Sequence, residues 1–113
     1  KSVTDMMEHT VSEGTSFKAF HDRTGKPFLP GMNVAGKTGT LADSTGAKLY
    51  TWFTGFAPSR PIAGVKQVAV AALVVNNPSW RIKANVLARE VLRAYFAGEN
   101  VPQVTMPKPQ AIK

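Results

Sequence analysis

Apolar positions along this chain change period three times, and each change marks an element. Val3, Met6, Met7 and Val11 recur at steps of three and four, which predicts a first helix. Ser2, with Asp5 three residues on, resembles a capping box at its start, and Gly14 is placed to end it. The Met pair is expected to pack into the core. From Thr15 to Gly31 no period is sustained, and Gly25, Pro27, Pro30 and Gly31 punctuate what reads as a connecting segment.

Three strands are then expected, over Asn33–Leu41, Lys48–Ala57 and Lys66–Val75. Asp43-Ser44-Thr45-Gly46 is a turn, so the first two should form an antiparallel hairpin. Pro58-Ser59-Arg60-Pro61 and Gly64 make a longer loop before the third. That strand reads Val68-Ala69-Val70-Ala71-Ala72-Leu73-Val74-Val75, apolar on both faces, so it belongs inside a sheet covered on both sides.

A last helix is expected to begin at Asn77-Pro78-Ser79, with proline near its first turn. Trp80, Ala84, Leu87, Val91 and Tyr95 share one face and should be buried. Arg81, Asn85, Arg89 and Arg93 should take the solvated side, with Ile82, Val86 and Phe96 adding apolar surface elsewhere. Gly98 should end the helix. The proline-containing stretch that follows is expected to be a flexible tail over 101–113. Together these elements make an α+β chain: a three-stranded antiparallel sheet flanked by helices.

Composition narrows the chemistry. Apolar residues make up 43% of 113, enough for a core. The formal charge is +7, yet the basic residues are scattered, so nucleic acid is not an expected partner. There is no cysteine, which excludes disulfides, thiolate metal sites and thiol nucleophiles. His9 and His21 have no second ligand at helical spacing and read as surface or satisfied side chains. No apolar run reaches the roughly 20 residues of a membrane helix.

The informative stretch is Val34-Ala35-Gly36-Lys37-Thr38-Gly39-Thr40, where two motifs overlap. Gly31-x-x-x-x-Gly36-Lys37-Thr38 satisfies the phosphate-loop pattern. That loop must leave a buried strand and open a helix. Here it follows Lys26-Pro27-Phe28-Leu29-Pro30 and precedes residues that are poor in helix formers, so the nucleotide reading is rejected. The other motif is Lys37-Thr38-Gly39, the K-T-G of penicillin-recognising serine enzymes, which sits on a strand at the active site. Lys37 can offer charge to a carboxylate, and Thr38 and Thr40 offer hydroxyls. Gly39 has no Cβ to obstruct a substrate backbone pairing with the strand edge.

Gly36-Lys37-Thr38-Gly39-Thr40, then Thr51-Trp52-Phe53-Thr54-Gly55-Phe56-Ala57-Pro58, then Val68 to Pro78 closely resemble the end of the penicillin-binding protein transpeptidase domain. Val11-Ser12-Glu13-Gly14-Thr15 is similar to its segment before the K-T-G strand. The resemblance runs from about Val3 to Ala97. It implies that residues 1–100 are the C-terminal portion of such a domain, with three consecutive antiparallel strands and a C-terminal helix. It also implies a bacterial cell-envelope enzyme at the extracytoplasmic face of the membrane, cross-linking peptidoglycan stem peptides through a serine acyl-enzyme without a cofactor. Lys37, Thr38, Gly39 and Thr40 would be its substrate-binding residues, with the Thr40 N–H as an oxyanion donor, and β-lactams would be its acylating mimics.

The family also needs a Ser-x-x-Lys helix and a Ser-x-Asn loop. Ser2, Ser12, Ser16, Ser44, Ser59 and Ser79 have neither Lys three residues on nor Asn two residues on. The nucleophile is therefore absent from this chain, which reads as a part whose partner is the missing half, or another copy of itself. A serine β-lactamase or β-lactam sensor shares the K-T-G strand and the Trp52-Phe53-x-Gly55-Phe56 run. Phe56-Ala57-Pro58 and Asn76-Asn77-Pro78 favour the transpeptidase. A non-catalytic interaction module with the same sheet is the reading from a different class.

Overall fold

The computed structural model describes residues 2–77 and 82–97. Helix α1 spans Val3–Ser12. Its capping box is formed: the Asp5 N–H donates to Ser2 Oγ at 3.2 Å and the Ser2 N–H to Asp5 Oδ2 at 3.1 Å. The Gly14 N–H closes on the His9 carbonyl at 2.8 Å, ending the helix where the glycine predicted. Val11 is buried, but Met6 is 52% exposed, so the expected packing of the Met pair does not hold at Met6.

A four-residue helix, α2 (Phe17–Phe20), lies within the segment read as a connection. It is one turn long, too short to show a period, yet it puts Ala19 and Phe20 into the core. His21 accounts for itself: its Nδ1 is 2.9 Å from the Phe17 carbonyl, and its ring stacks on Phe17.

Strands β1 (Ala35–Ala42), β2 (Leu49–Ala57) and β3 (Val68–Asn76) form an antiparallel sheet in the order β1-β2-β3. The boundaries fall within two residues of expectation. In the first hairpin the Asp43 carboxylate accepts from the Thr45 hydroxyl and the Lys48 N–H, and Gly46 takes a φ of 71°. The register sets Thr40 opposite Thr51 and Thr38 opposite Phe53. Phe53 is fully buried, and a Cβ on Gly36 would come within 2.2 Å of its ring. Glycine at 36 is therefore required by the ring packed beneath the strand.

Helix α3 spans Ala84–Phe96. It starts later than expected: Asn77, Ile82 and Lys83 are not helical, while Trp80, Arg81 and the stop at Gly98 lie outside the described residues. Lys83 is extended at the cap position, and the Ala84 N–H donates to the Thr51 hydroxyl at 3.1 Å. A strand hydroxyl thus caps this helix.

The buried face of α3 also differs from the expected stripe. Ala84, Asn85, Ala88, Leu92 and Phe96 are buried, whereas Leu87, Val91 and Tyr95 are exposed. The small alanines allow close approach to the sheet, and the larger stripe is left outside. The arginine side does not face solvent either. Arg89 and Arg93 lie over the Phe28 ring, both bond Glu90, and Arg89 also donates to the Ala19 carbonyl.

Among the described residues strand β3 is the far edge of the sheet, and helices cover one face of the sheet only. On the other face Ala69, Ala71, Leu73 and Val75 are exposed, beside partly buried Tyr50 and Trp52. Among the described residues no helix is long and apolar enough to cross a membrane.

Candidate functional site

The K-T-G residues occupy the middle of β1, which among the described residues pairs with β2 on one side only and leaves its other edge unpaired. Strand alternation divides them between the two faces. Lys37 and Gly39 point to the uncovered face; Thr38 and Thr40 point to the face that carries the helices. Lys37 is exposed, and its Nζ donates to the Thr38 carbonyl at 2.7 Å. The side-chain hydroxyls of Thr38 and Thr15 are 3.2 Å apart, which ties the turn after α1 to the strand.

Gly36 and Gly39 differ in what demands them. A Cβ at Gly39 would have the Trp52 side chain as its nearest neighbour, at 3.8 Å, which is ordinary contact. The packing of this chain does not call for glycine there. Open space on the outer side of an unpaired edge suits the approach of another backbone.

Behind the edge, Thr38, Gly39 and Thr40 line a cavity of about 180 Å³ with Thr15, Thr51, Lys83 and Asn85. Three elements meet there. The turn after α1 brings Thr15, the hairpin register brings Thr51 beside Thr40, and the first turn of α3 brings Lys83 and Asn85. The structure therefore groups three of the four expected substrate-binding residues, and Lys37 is not among the lining side chains.

Thr51 could have been placed from sequence, because a hairpin centred on Thr45 and Gly46 sets Thr40 opposite Thr51. Lys83 and Asn85 had no such signal, since their position depends on where α3 begins. What the site can do chemically is hold an anion or a peptide end, through hydroxyls, amine groups and a free strand edge. Among the described residues no group of three or more His, Asp and Glu could hold a metal ion.

A second cluster joins α1 to the loop after β2. Glu8 accepts from the Ser59 hydroxyl at 2.6 Å and from Arg60 Nε at 2.9 Å, and Arg60 also pairs with Asp5. The Ser59 hydroxyl, then Arg60, holds the Glu8 carboxyl below its ordinary value. These groups line no part of the K-T-G cavity and serve to hold α1 in place.

No curated protein matches the chain. A family model does: residues 1–94 match the penicillin binding protein transpeptidase domain. With most of its length matched, and with an α+β arrangement of antiparallel sheet and helices consistent with part of that domain, this chain belongs to the penicillin-binding protein transpeptidase family.

Proposed function

We propose that this chain supplies the substrate-carboxylate strand of a D,D-transpeptidase that cross-links peptidoglycan stem peptides and is acylated by β-lactams. The observation that carries the reading is the free edge of β1, with Thr38 and Thr40 at a hydroxyl-lined cavity and a Gly39 that the fold itself does not need. A stem peptide would lie along that edge as an added strand. Thr38 and Thr40 would donate to its terminal carboxylate, and Lys37 would contribute charge. The Thr40 N–H would complete the oxyanion hole.

The acyl step needs a serine that this chain does not carry with its lysine partner. The serine oxygen of a Ser-x-x-Lys segment would attack the penultimate D-Ala carbonyl and expel the terminal D-Ala. An amine of a second stem peptide would then take the acyl group, restoring the serine. The complete enzyme would act at the outer face of the bacterial cytoplasmic membrane, where that substrate would lie.

The test uses fluorescent penicillin. This chain alone should take no denaturation-resistant label, while a protein joining it to a Ser-x-x-Lys segment should. Lys37→Ala in that protein should slow acylation roughly ten- to a hundredfold, the worth of one charge-assisted hydrogen bond. Labelling of the chain alone, or acylation of the Lys37→Ala protein at the parent rate, contradicts the assignment.

A further inference from the structure

The cavity behind β1 has a wall that the K-T-G motif does not include. Lys83 and Asn85 line it together with Thr38 and Thr40, and both come from the opening of α3. Lys83 is exposed, and among the described residues it has no carboxylate partner. Asn85 is 7% exposed; its Nδ2 donates to the Ser16 hydroxyl at 3.2 Å, which fixes the residue at the cavity's inner end.

The helix dipole of α3 adds positive potential from the same side. Lys37, by contrast, lies on the opposite face and bonds its own strand.

We propose that Lys83 is a specificity-determining residue of the carboxylate subsite. It forms a cationic wall beside the Thr38 and Thr40 hydroxyls and makes the subsite select an ionised C-terminus over a neutral one. The inference rests on the function proposed above, since it takes β1 as the strand that receives the acyl donor. It adds a second positive charge, from the helix side of the strand, through a residue outside the motif.

The experiment is an amide NMR titration of the protein that joins this chain to a Ser-x-x-Lys segment, with N-acetyl-D-alanyl-D-alanine and with its C-terminal amide. The acid should shift Thr38, Thr40, Thr51 and Asn85, and the amide should bind more weakly. Lys83→Met should weaken the acid about three- to tenfold at low salt, with the difference shrinking as salt rises, and leave the amide unchanged. Lys83→Arg should restore the preference for the acid. Unchanged acid binding in Lys83→Met overturns this inference and leaves the β1 assignment standing. Absence of any shift in the unsubstituted joined protein with either ligand overturns the β1 assignment, and this inference with it.

Discussion

The Thr15 hydroxyl oxygen stands 3.2 Å from that of Thr38, so the turn that ends α1 reaches the middle residue of the K-T-G motif. This contact makes the turn after α1 part of the site's scaffold. It fixes one of the two hydroxyls assigned to the substrate carboxylate and leaves Thr40 free.

Thr15→Val should therefore release the Thr38 hydroxyl without emptying the core. A single neutral hydrogen bond is worth about 1 kcal/mol, so acylation of the complete enzyme by penicillin should slow about fivefold. The fall should appear in the acylation rate constant, with thermal stability little changed. An unaltered rate would show that Thr38 needs no positioning from Thr15.

The two glycines flanking Lys37-Thr38 should respond in opposite ways. Gly36→Ala would drive a methyl into the Phe53 ring and should cost about 1–3 kcal/mol of stability, as overpacking does. Gly39→Ala meets nothing closer than 3.8 Å and should leave the melting temperature nearly unchanged. It should nevertheless slow acylation of the complete enzyme, because a methyl would stand where the substrate backbone approaches. Equal melting temperatures for the two variants would refute the packing argument.

The Glu8 cluster gives a pH dependence with a definite sign. The Ser59 hydroxyl and Arg60 lower its folded-state value, so the ionised form is favoured in the folded chain. Its contribution is complete above the ordinary glutamate value of about 4.3 and is lost as pH falls through the lower folded value. Asp5 adds to the same limb, held low by the Ser2 N–H and hydroxyl before Arg60. Thermal unfolding followed from neutral to acidic pH should show Glu8→Gln converging on the unsubstituted chain in acid. A constant gap at every pH would exclude the carboxylate.

Uncovered apolar surface gives the fourth prediction. Leu41, Leu73 and Val75 are 58%, 51% and 48% exposed on the open sheet face, and Leu87, Val91 and Tyr95 stand out from α3. Contiguous apolar surface on an open sheet face is uncommon in soluble monomers. The edges of β1 and β3 add unpaired backbone groups. The isolated chain should self-associate, and sedimentation over a range of concentrations should show it. A dispersed monomer at high concentration would mean that the exposed face is tolerated.

Local chemistry was legible in the sequence where it was decided locally. The Ser2–Asp5 capping box, the Asp43–Gly46 turn and the three strands follow from neighbouring residues, and the hairpin register follows from the turn. Failures came where a tertiary contact decides. Leu87, Val91 and Tyr95 make the larger apolar stripe, but Ala84 and Ala88 let α3 lie closer to the sheet, and Thr51 sets where the helix begins. Because α3 then begins at Ala84, Lys83 and Asn85 reach the cavity, a placement that no periodicity predicts. The K-T-G residues were found as a motif, while their division between two faces needed the strand.

The most direct measurement is the position of a β-lactam carboxylate in a crystal structure of the acylated protein that joins this chain to a Ser-x-x-Lys segment. The account predicts carboxylate oxygens within hydrogen-bonding distance of the Thr38 and Thr40 hydroxyls, with the inhibitor lying along the free edge of β1. A carboxylate bound away from that edge, with both hydroxyls unengaged, would contradict it.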